Sequence, residues 1–496
     1  MSKNKLDENF FSKIFRLFQP FFEYKILAIL FLGFSAGIPL AITGSTLSMW
    51  LSRAGIDVKT IGLFALVTIP FSFKYLWSPI FDNVKIPYFS RRFGLRKTWL
   101  ILTQICLMIA ICALGQSSPL NNIKLTATLA LLVAFFSASQ DIVIDAFRIE
   151  SIEREKQAIS ASMYTYGYRI AMLVSGAGSL LLADYIAWPI VFIVMSLSIL
   201  IGIIATIFIK EPKISNKHLN KLPNFSKLLR SSIKTLLTKD FLFLIIYIII
   251  FAYFLRAIST KFSLSNVALS FIGASILVLT IYFYKEKVKN IFPDSILDFV
   301  TRPQWIYILL FIIFYKFSDT MLESLKSKFY VDTGFSNSEI AYITKGFGFI
   351  MTMVGLFVGG IVFYKLKTFK SLLLAGILQI ASNLVFLWIA ETHHNLLALT
   401  TAIAVENFTG SINTVVIIAY LSGLCNINYT ATQYALLSSF SNVGRTIMVA
   451  PAGYIVHSYG WTMFIWITAI VGIPALILLY ILKNNIIKSE SSNVSR

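Results

Sequence analysis

Ser137-Ala-Ser-Gln-Asp-Ile-Val-Ile-Asp-Ala-Phe147 closes an apolar run that begins near Ile123. Asp141 and Asp145 are four residues apart, so a helix stacks them on one face, with Gln140 and Ser137 adjoining. A carboxylate carried into hydrocarbon costs about 3 kcal/mol or more, so two on one face demand a role. One role is a proton-binding or substrate-binding site inside a membrane. The other is an inner helix end, where Asp145 pairs with Arg148 and both reach toward water.

The solvent for such a helix is lipid. The 496-residue chain is 57% hydrophobic and only 13% charged, with a mean hydropathy of +0.76. A water-exposed surface would need far more charge. Helices satisfy their own backbone hydrogen bonds in hydrocarbon, so the expected class is an all-α integral membrane protein in the lipid bilayer. The net charge of +20 is not spread as a nucleic-acid surface would be. Lys85, Arg91, Arg92, Arg96 and Lys97 form one basic cluster and Lys210–Lys239 another, alternating with nearly uncharged short loops such as Ser117–Asn122. That is the positive-inside pattern, and it puts both termini in the cytoplasm with no nucleic-acid partner. The polar start Met1–Lys25 leads directly into a full-length span, so no cleavable signal peptide is expected.

Cys106, Cys112 and Cys425 are isolated, which gives no disulfide framework and no metal motif. The four histidines (His218, His393, His394, His457) fall near helix ends or loops and read as surface residues. No nucleophile elbow, zinc-protease motif, phosphate loop or dinucleotide loop is present. The sequence therefore predicts no enzyme, no cofactor and no metal. Without an ATP-binding domain, energy for transport has to come from an ion gradient.

At ~20 apolar residues per span, helices are expected near 26–50, 60–81, 98–116, 123–147, 159–184 and 188–209, and again near 304–328, 338–364, 370–390, 396–423, 430–457 and 461–482. Two further apolar stretches lie near 241–259 and 264–284. The organisation read from this is a cytoplasmic N-terminal segment 1–25, a six-helix bundle 26–209, a basic cytoplasmic linker 210–303 holding the two extra helices, a second six-helix bundle 304–482 and a cytoplasmic tail 483–496. That makes about 14 transmembrane helices. The two sets of six echo one another. Ala54-Gly-Ile-Asp opens the second helix of the first set as Thr333-Gly-Phe-Ser opens that of the second. Tyr168-Arg169…Gly178…Trp188 recurs as Gly444-Arg445…Gly453…Trp461, and Ser139-Gln-Asp141 faces Ser411-Ile-Asn413. Parallel six-helix halves about a central cavity are the major facilitator fold.

Depth along each helix, at 1.5 Å per residue, places Lys74, Arg169, Lys316, Asp319, Glu406 and Arg445 near mid-membrane. Glu323 and Lys345 then lie toward the outside, and Asp141 and Asp145 toward the inside. Asp141, Asp145, Asp319 and Glu406 are the proton-coupling candidates, because burial and like-charged neighbours favour a protonated carboxyl. Lys316 and Asp319, three apart, can also simply neutralise one another. Lys74 and Arg169 have no adjacent acid in sequence and are expected to meet an anionic substrate. Lys345 and Arg445 are further carboxylate partners. Gln140, Asn413, Tyr168, Tyr164, Tyr166 and Trp77 offer hydrogen bonds and ring faces to a sugar. The Asp82…Arg91-Arg92-Phe-Gly94-Leu-Arg96-Lys97 loop resembles the facilitator loop between helices 2 and 3, although Ser78 stands where its first Gly is expected. Asp82, Arg91, Arg92 and Arg148 are read as gating residues.

Gly33-Phe-Ser-Ala-Gly-Ile-Pro-Leu40, Phe73-Lys-Tyr-Leu-Trp-Ser-Pro79, Ser137-Ala-Ser-Gln-Asp-Ile-Val143 with Asp145-Ala146, and Gly167-Tyr-Arg169 resemble the AmpG-type muropeptide permeases. So do Lys316…Asp319, Glu406-Asn407, Ala431-Thr-Gln-Tyr-Ala-Leu-Leu437 and Val443-Gly-Arg445. The resemblance covers about 25–482 and is weakest across 210–300. It implies a proton-coupled symporter in the bacterial inner membrane. Its partners are protons and N-acetylglucosaminyl-1,6-anhydro-N-acetylmuramyl peptides, imported for peptidoglycan recycling, and the expected state is a monomer. A sister branch carries acetyl-CoA, so another anionic metabolite is the alternative substrate. A non-transporting membrane sensor is the alternative of a different class, which mid-membrane charges in both halves argue against.

Overall fold

The computed structural model describes residues 17–212 and 294–491. The two spans expected near 241–259 and 264–284 lie outside the described residues. The described chain is helical throughout its regular structure. In chain order, α1 is Tyr24–Arg53, α2 Val58–Asn83, α3 Leu95–Gln116 and α4 Ile123–Ser151. α5 begins as Gln157–Leu173 and continues through a π-helical turn, Val174–Gly178, to Ser179–Ala183. α6 is Trp188–Phe208. A short junction helix, Asp294–Val300, then leads into α7, Trp305–Asp332. α8 starts at Asn337–Ile340 and passes through a π-helical stretch, Ala341–Phe347. The following Gly348–Thr392 folds back at Lys367 (φ 60°, ψ −179°), which separates α8 (337–366) from α9 (368–392). α10 is Leu396–Leu424. A second reversal at Gly460 (φ 76°) separates α11 (430–459) from α12 (461–491).

The two halves open their second helices by the same device. Gly55 and Gly334, at φ 82° and 90°, take the left-handed conformation that glycine adopts without a Cβ clash. Two residues on, Asp57 accepts from the N–H of Thr60 (3.0 Å), and Ser336 accepts from that of Glu339 (3.3 Å) to complete a capping box. The repeat read from sequence is therefore a repeat of backbone geometry.

Within the first half, α1 and α5 meet backbone to backbone. A Cβ on Gly33 would stand 2.1 Å from the Tyr164 carbonyl oxygen, and one on Gly167 would stand 1.9 Å from that of Leu30. Such small-residue contacts let membrane helices gain packing where no hydrophobic drive separates protein from lipid. Further along the pair, Thr46 Oγ1 donates to the Ser175 carbonyl (2.8 Å), so the irregular turns of α1 and α5 lie side by side.

The halves touch at one end. Ser162 on α5 donates to the Leu356 carbonyl of α8 (2.7 Å), and the Tyr166 hydroxyl donates to that of Met353. Phe21 stacks on Phe357 with centroids 4.3 Å apart. This is also the end where the described chain begins and finishes: Lys156 pairs with Glu23 at 2.8 Å, and Glu490 accepts from the Thr368 N–H. At the opposite end, Val58–Leu63 of α2 and Asn337–Phe347 of α8 contain no buried residue. The molecule is closed at the terminal end and parted at the other.

Gly167→Ala tests the α1–α5 contact. Two backbones cannot yield as a flexible side chain does, so the purified protein should melt roughly 2–10 °C lower. Gly62→Ala, where a Cβ meets nothing within 4 Å, serves as the control and should melt as the parent does.

Candidate functional site

α4 brings the opening stretch to the centre of the first half. Asp141 and Asp145 are both buried. Lys74, from a tight 3₁₀ turn in α2, is buried as well and lies in Coulombic range of both carboxylates. Tyr164 and Tyr168 of α5, with ring centroids 6.0 Å apart, sit within electrostatic range of the same two acids. Gln140 donates to Ser35 on α1 (3.1 Å), and the Trp77 indole donates to Ser139 (3.0 Å). Three buried acceptor atoms in this cluster have no hydrogen-bond partner: Asp141 Oδ1, Gln140 Oε1 and Ser137 Oγ. Buried polar atoms are rarely left so, and their clustering marks a place where a proton or a donor from a guest can bind.

Lys74 departs from the expectation set by its sequence neighbours. It lies within Coulombic range of the two aspartates that α4 carries, a proximity that no sequence spacing within α2 could reveal. Asp145 lies 3.6 Å from Arg148 on the same helix. Arg148 is fully buried and reaches across to the second half, donating to Ser422 at 2.9 Å and lying over the Tyr434 ring at 5.6 Å.

The second half holds its own cluster. Glu406 on α10 pairs with Lys326 on α7 at 2.7 Å, and Lys326 also pairs with Glu323. Glu406 Oε2 and the Tyr330 hydroxyl are buried without a partner. Asp319 is within Coulombic range of Glu406 and takes a long contact from Gln379 (3.4 Å). Asn413 donates to Gln379 at 3.5 Å, leaving its own carbonyl oxygen unpartnered. Lys326 escaped the sequence reading. The available signal was its i,i+3 spacing from Glu323, on the same helix and one to two turns beyond Asp319.

Other expected residues lie elsewhere. Arg169 and Lys345 are exposed, the latter in the π-helical stretch of the parted end. The side chain of Arg445 lies outside the described ones. Arg91 and Arg92 are exposed, with Arg92 over the Phe93 ring at 5.7 Å, and neither reaches Asp82.

Asp82 is instead held by Arg96, whose Nη2 donates at 2.7 Å while the same guanidinium grips Glu150 at 2.6 Å. The remaining valences of Asp82 go to the second half. Its carboxylate accepts the N–H groups of Ala431 (3.1 Å) and Thr432 (2.7 Å) and the Thr432 hydroxyl (2.6 Å), at the N-terminus of α11. Negative charge there meets unpaired N–H groups and the positive end of the helix dipole. The charge network at the closed end is thus Asp82, Arg96 and Glu150. Sequence reasoning held Arg96 only as one member of the basic loop and did not name Glu150, because their partners are 14 and 54 residues apart.

The sequence profile of the Major Facilitator Superfamily matches residues 29–291. The Rickettsia conorii transporter called AmpG 4 is 34% identical over 473 residues, 95% of this chain and 99% of that one. The chain belongs to the AmpG-type permeases of the major facilitator superfamily. It is a multi-pass membrane transporter and not an enzyme. The anhydromuropeptide permease of Escherichia coli strain K12 is 33% identical over 477 residues, 96% of this chain and 82% of that protein. Among solved structures, the facilitator FucP in its outward conformation matches with a TM-score of 0.59 over 93% of this chain and 99% of that one, at 12% identity. The proton:xylose symporter XylE matches at 0.57 over 92% and 94%, also at 12% identity. These two likenesses establish the fold alone.

Just past α6, Glu211 accepts from the N–H groups of Arg96 (2.8 Å) and Lys97 (3.0 Å), which opens α3 beside the Asp82 network. Burial raises its carboxyl from 4.5 to about 7; the two N–H bonds and Arg96 oppose the rise, and Glu150 adds to it. A folded-state value above the unfolded one means that this group's contribution to stability is complete below about 4.5 and is lost as pH rises through about 7. The melting temperature of the parent, measured against Glu211→Gln, should therefore fall steadily between about pH 5 and about pH 8. A difference that stays flat across that window refutes the assignment.

Proposed function

We propose that this permease imports anhydro-muropeptides across the bacterial inner membrane, driven by protons, for peptidoglycan recycling. The observation that carries this reading is a matched pair of buried clusters, one per half. Each sets a lysine against a carboxylate that keeps one oxygen unpartnered: Lys74 with Asp141, and Lys326 with Glu406. An unpartnered carboxylate oxygen beside a lysine has two low-energy fates. It takes a proton, or it releases the lysine to an incoming anion. Coupling of proton and substrate follows if both fates occur in one cycle, because an anionic peptide that claims the lysine leaves the carboxylate to be neutralised by a proton.

The named activity of the Escherichia coli relative supports the substrate class. The chemistry of the first-half cluster agrees with it: Tyr164, Tyr168 and Trp77 supply ring faces to sugars, and Gln140 supplies an open acceptor. With both termini in the cytoplasm, the parted end faces outward and the Asp82 and Arg148 contacts form the inner gate. Arg148 and Asp82 each bond directly across the halves, which is what a gate has to break on opening. The chain acts as a monomer in this reading.

Uptake of labelled anhydro-muropeptide by proteoliposomes tests it. An imposed inward proton gradient should stimulate uptake in the parent, and acetyl-CoA should not compete. Asp141→Asn and Glu406→Gln should each lower gradient-driven uptake roughly tenfold or more, the scale of one lost charge-assisted contact. Gradient-stimulated uptake at the parent rate in both variants would discard the coupling scheme. Competition by acetyl-CoA would discard the substrate.

A further inference from the structure

Gln433 is the most fully used amide in the described chain's closed end, and neither the transport cycle nor the gate network above needs it. It is completely buried on the first turn of α11. Its Nε2 donates to the Ser295 carbonyl (3.0 Å) and to Asp298 Oδ2 (2.7 Å). Its Oε1 accepts the Asn426 N–H (2.7 Å) and Arg302 Nη2 (3.1 Å). Both donors and both lone pairs are thereby engaged. Around it, Asp298 also takes Asn426 Nδ2 (3.1 Å) and pairs with Arg302, and Arg302 reaches the Leu424 carbonyl at the end of α10.

The two ends of this knot have different owners. Ser295 and Asp298 belong to the junction helix, which carries the chain out of the segment between the halves and into α7. Ala431 and Thr432, which hold Asp82 of the first half, directly precede Gln433 on a rigid helical turn. A displacement of the junction helix is thus passed through one side chain to the N–H groups that close the gate. We propose that Gln433 is a positioning residue that clamps the α10–α11 turn to the junction helix, so that the seating of Asp294–Val300 sets how readily the closed end opens. Replacing its amide frees the turn, and the N-terminus of α11 then loses its aim at Asp82.

The clamp rests on the inner-gate reading given above, so its test needs no substrate. Cys425, the C-cap just past α10, is half-buried one position before Asn426. In the full chain with Cys106→Ser and Cys112→Ser, it is the one thiol, and its alkylation rate by a maleimide in proteoliposomes reports opening of this end. Gln433→Leu and the equal-volume Gln433→Glu should each label at least about fivefold faster than the parent. Adding Asp298→Asn to Gln433→Glu exchanges amide and carboxylate across that one contact but leaves the Ser295 carbonyl without its donor, so it should restore the slow rate in part. Asp82→Asn should also speed labelling, and combining it with Gln433→Leu should give no more than the faster single variant, since both act on one contact. Parent-like labelling in Gln433→Leu overturns the proposal, as does an exchange variant that labels as fast as Gln433→Glu alone. So do rates for Asp82→Asn and Gln433→Leu that multiply as independent effects. If uptake fails in the parent while these rates behave as stated, the substrate is wrong and the clamp stands.

Discussion

A carboxylate on α2 holds the closed end of this transporter together. Asp82 is buried, so its acceptor positions call for protein donors, and these come from both halves: the Arg96 guanidinium on one side and the N-terminus of α11 on the other. Partial satisfaction of such a buried charge is costly, which makes the contact close to all-or-none. Glu150 is required by the same logic. It balances the Arg96 charge that Asp82 shares with α11, so the network carries two acids around one guanidinium.

The same constraint shapes the interior of each half, with a different outcome. In the gate, every Asp82 valence is met. In the two membrane clusters, a lysine faces acids in each case, yet Asp141 and Glu406 both retain an oxygen with no partner. Structural ion pairs tend toward completion, as at Asp82. Clusters left incomplete in a low-dielectric setting are where a guest or a proton gains most by binding. Under the proposed reading, the filled valences of Asp82 and the open oxygens of Asp141 and Glu406 set the gate carboxylate apart from the two site carboxylates, whereas the gate's Arg148 keeps its Nε unpartnered. The irregular turns in α1, α5 and α8 add to that division, since helices interrupted by π-helical turns bend more readily than continuous ones.

Much of the fold was legible in the residues. Hydrophobic run length gave helices, and the Gly55 and Gly334 turns announced the repeat before any coordinate did, because a left-handed backbone position followed by an Asp or Ser cap leaves a sequence trace. The site was legible only in part. Asp141, Asp145 and Glu406 stand out because a carboxylate in an apolar run is rare. Lys326 did not, because it lies next to Glu323 and looks like an ordinary helix-surface pair. Arg91 and Arg92, read as gating residues from the loop's resemblance to the facilitator loop, are exposed, while Arg96 of the same loop turns inward to Asp82.

The amino-acid sequence by itself determined that this chain is helical, lies in lipid, repeats its architecture and carries acids where lipid should be, since each of these follows from periodicity, composition and the cost of a buried charge. Only the tertiary structure decided who partners whom. Lys74 comes within Coulombic range of Asp141 and Asp145, Lys326 pairs with Glu406, and Asp82 bonds to residues about 350 positions away because helix packing brings them together. The physical reason is range: helix-forming forces act over about four residues and leave a periodic record, whereas an ion pair across two helices depends on how those helices are packed and rotated, which no local pattern encodes.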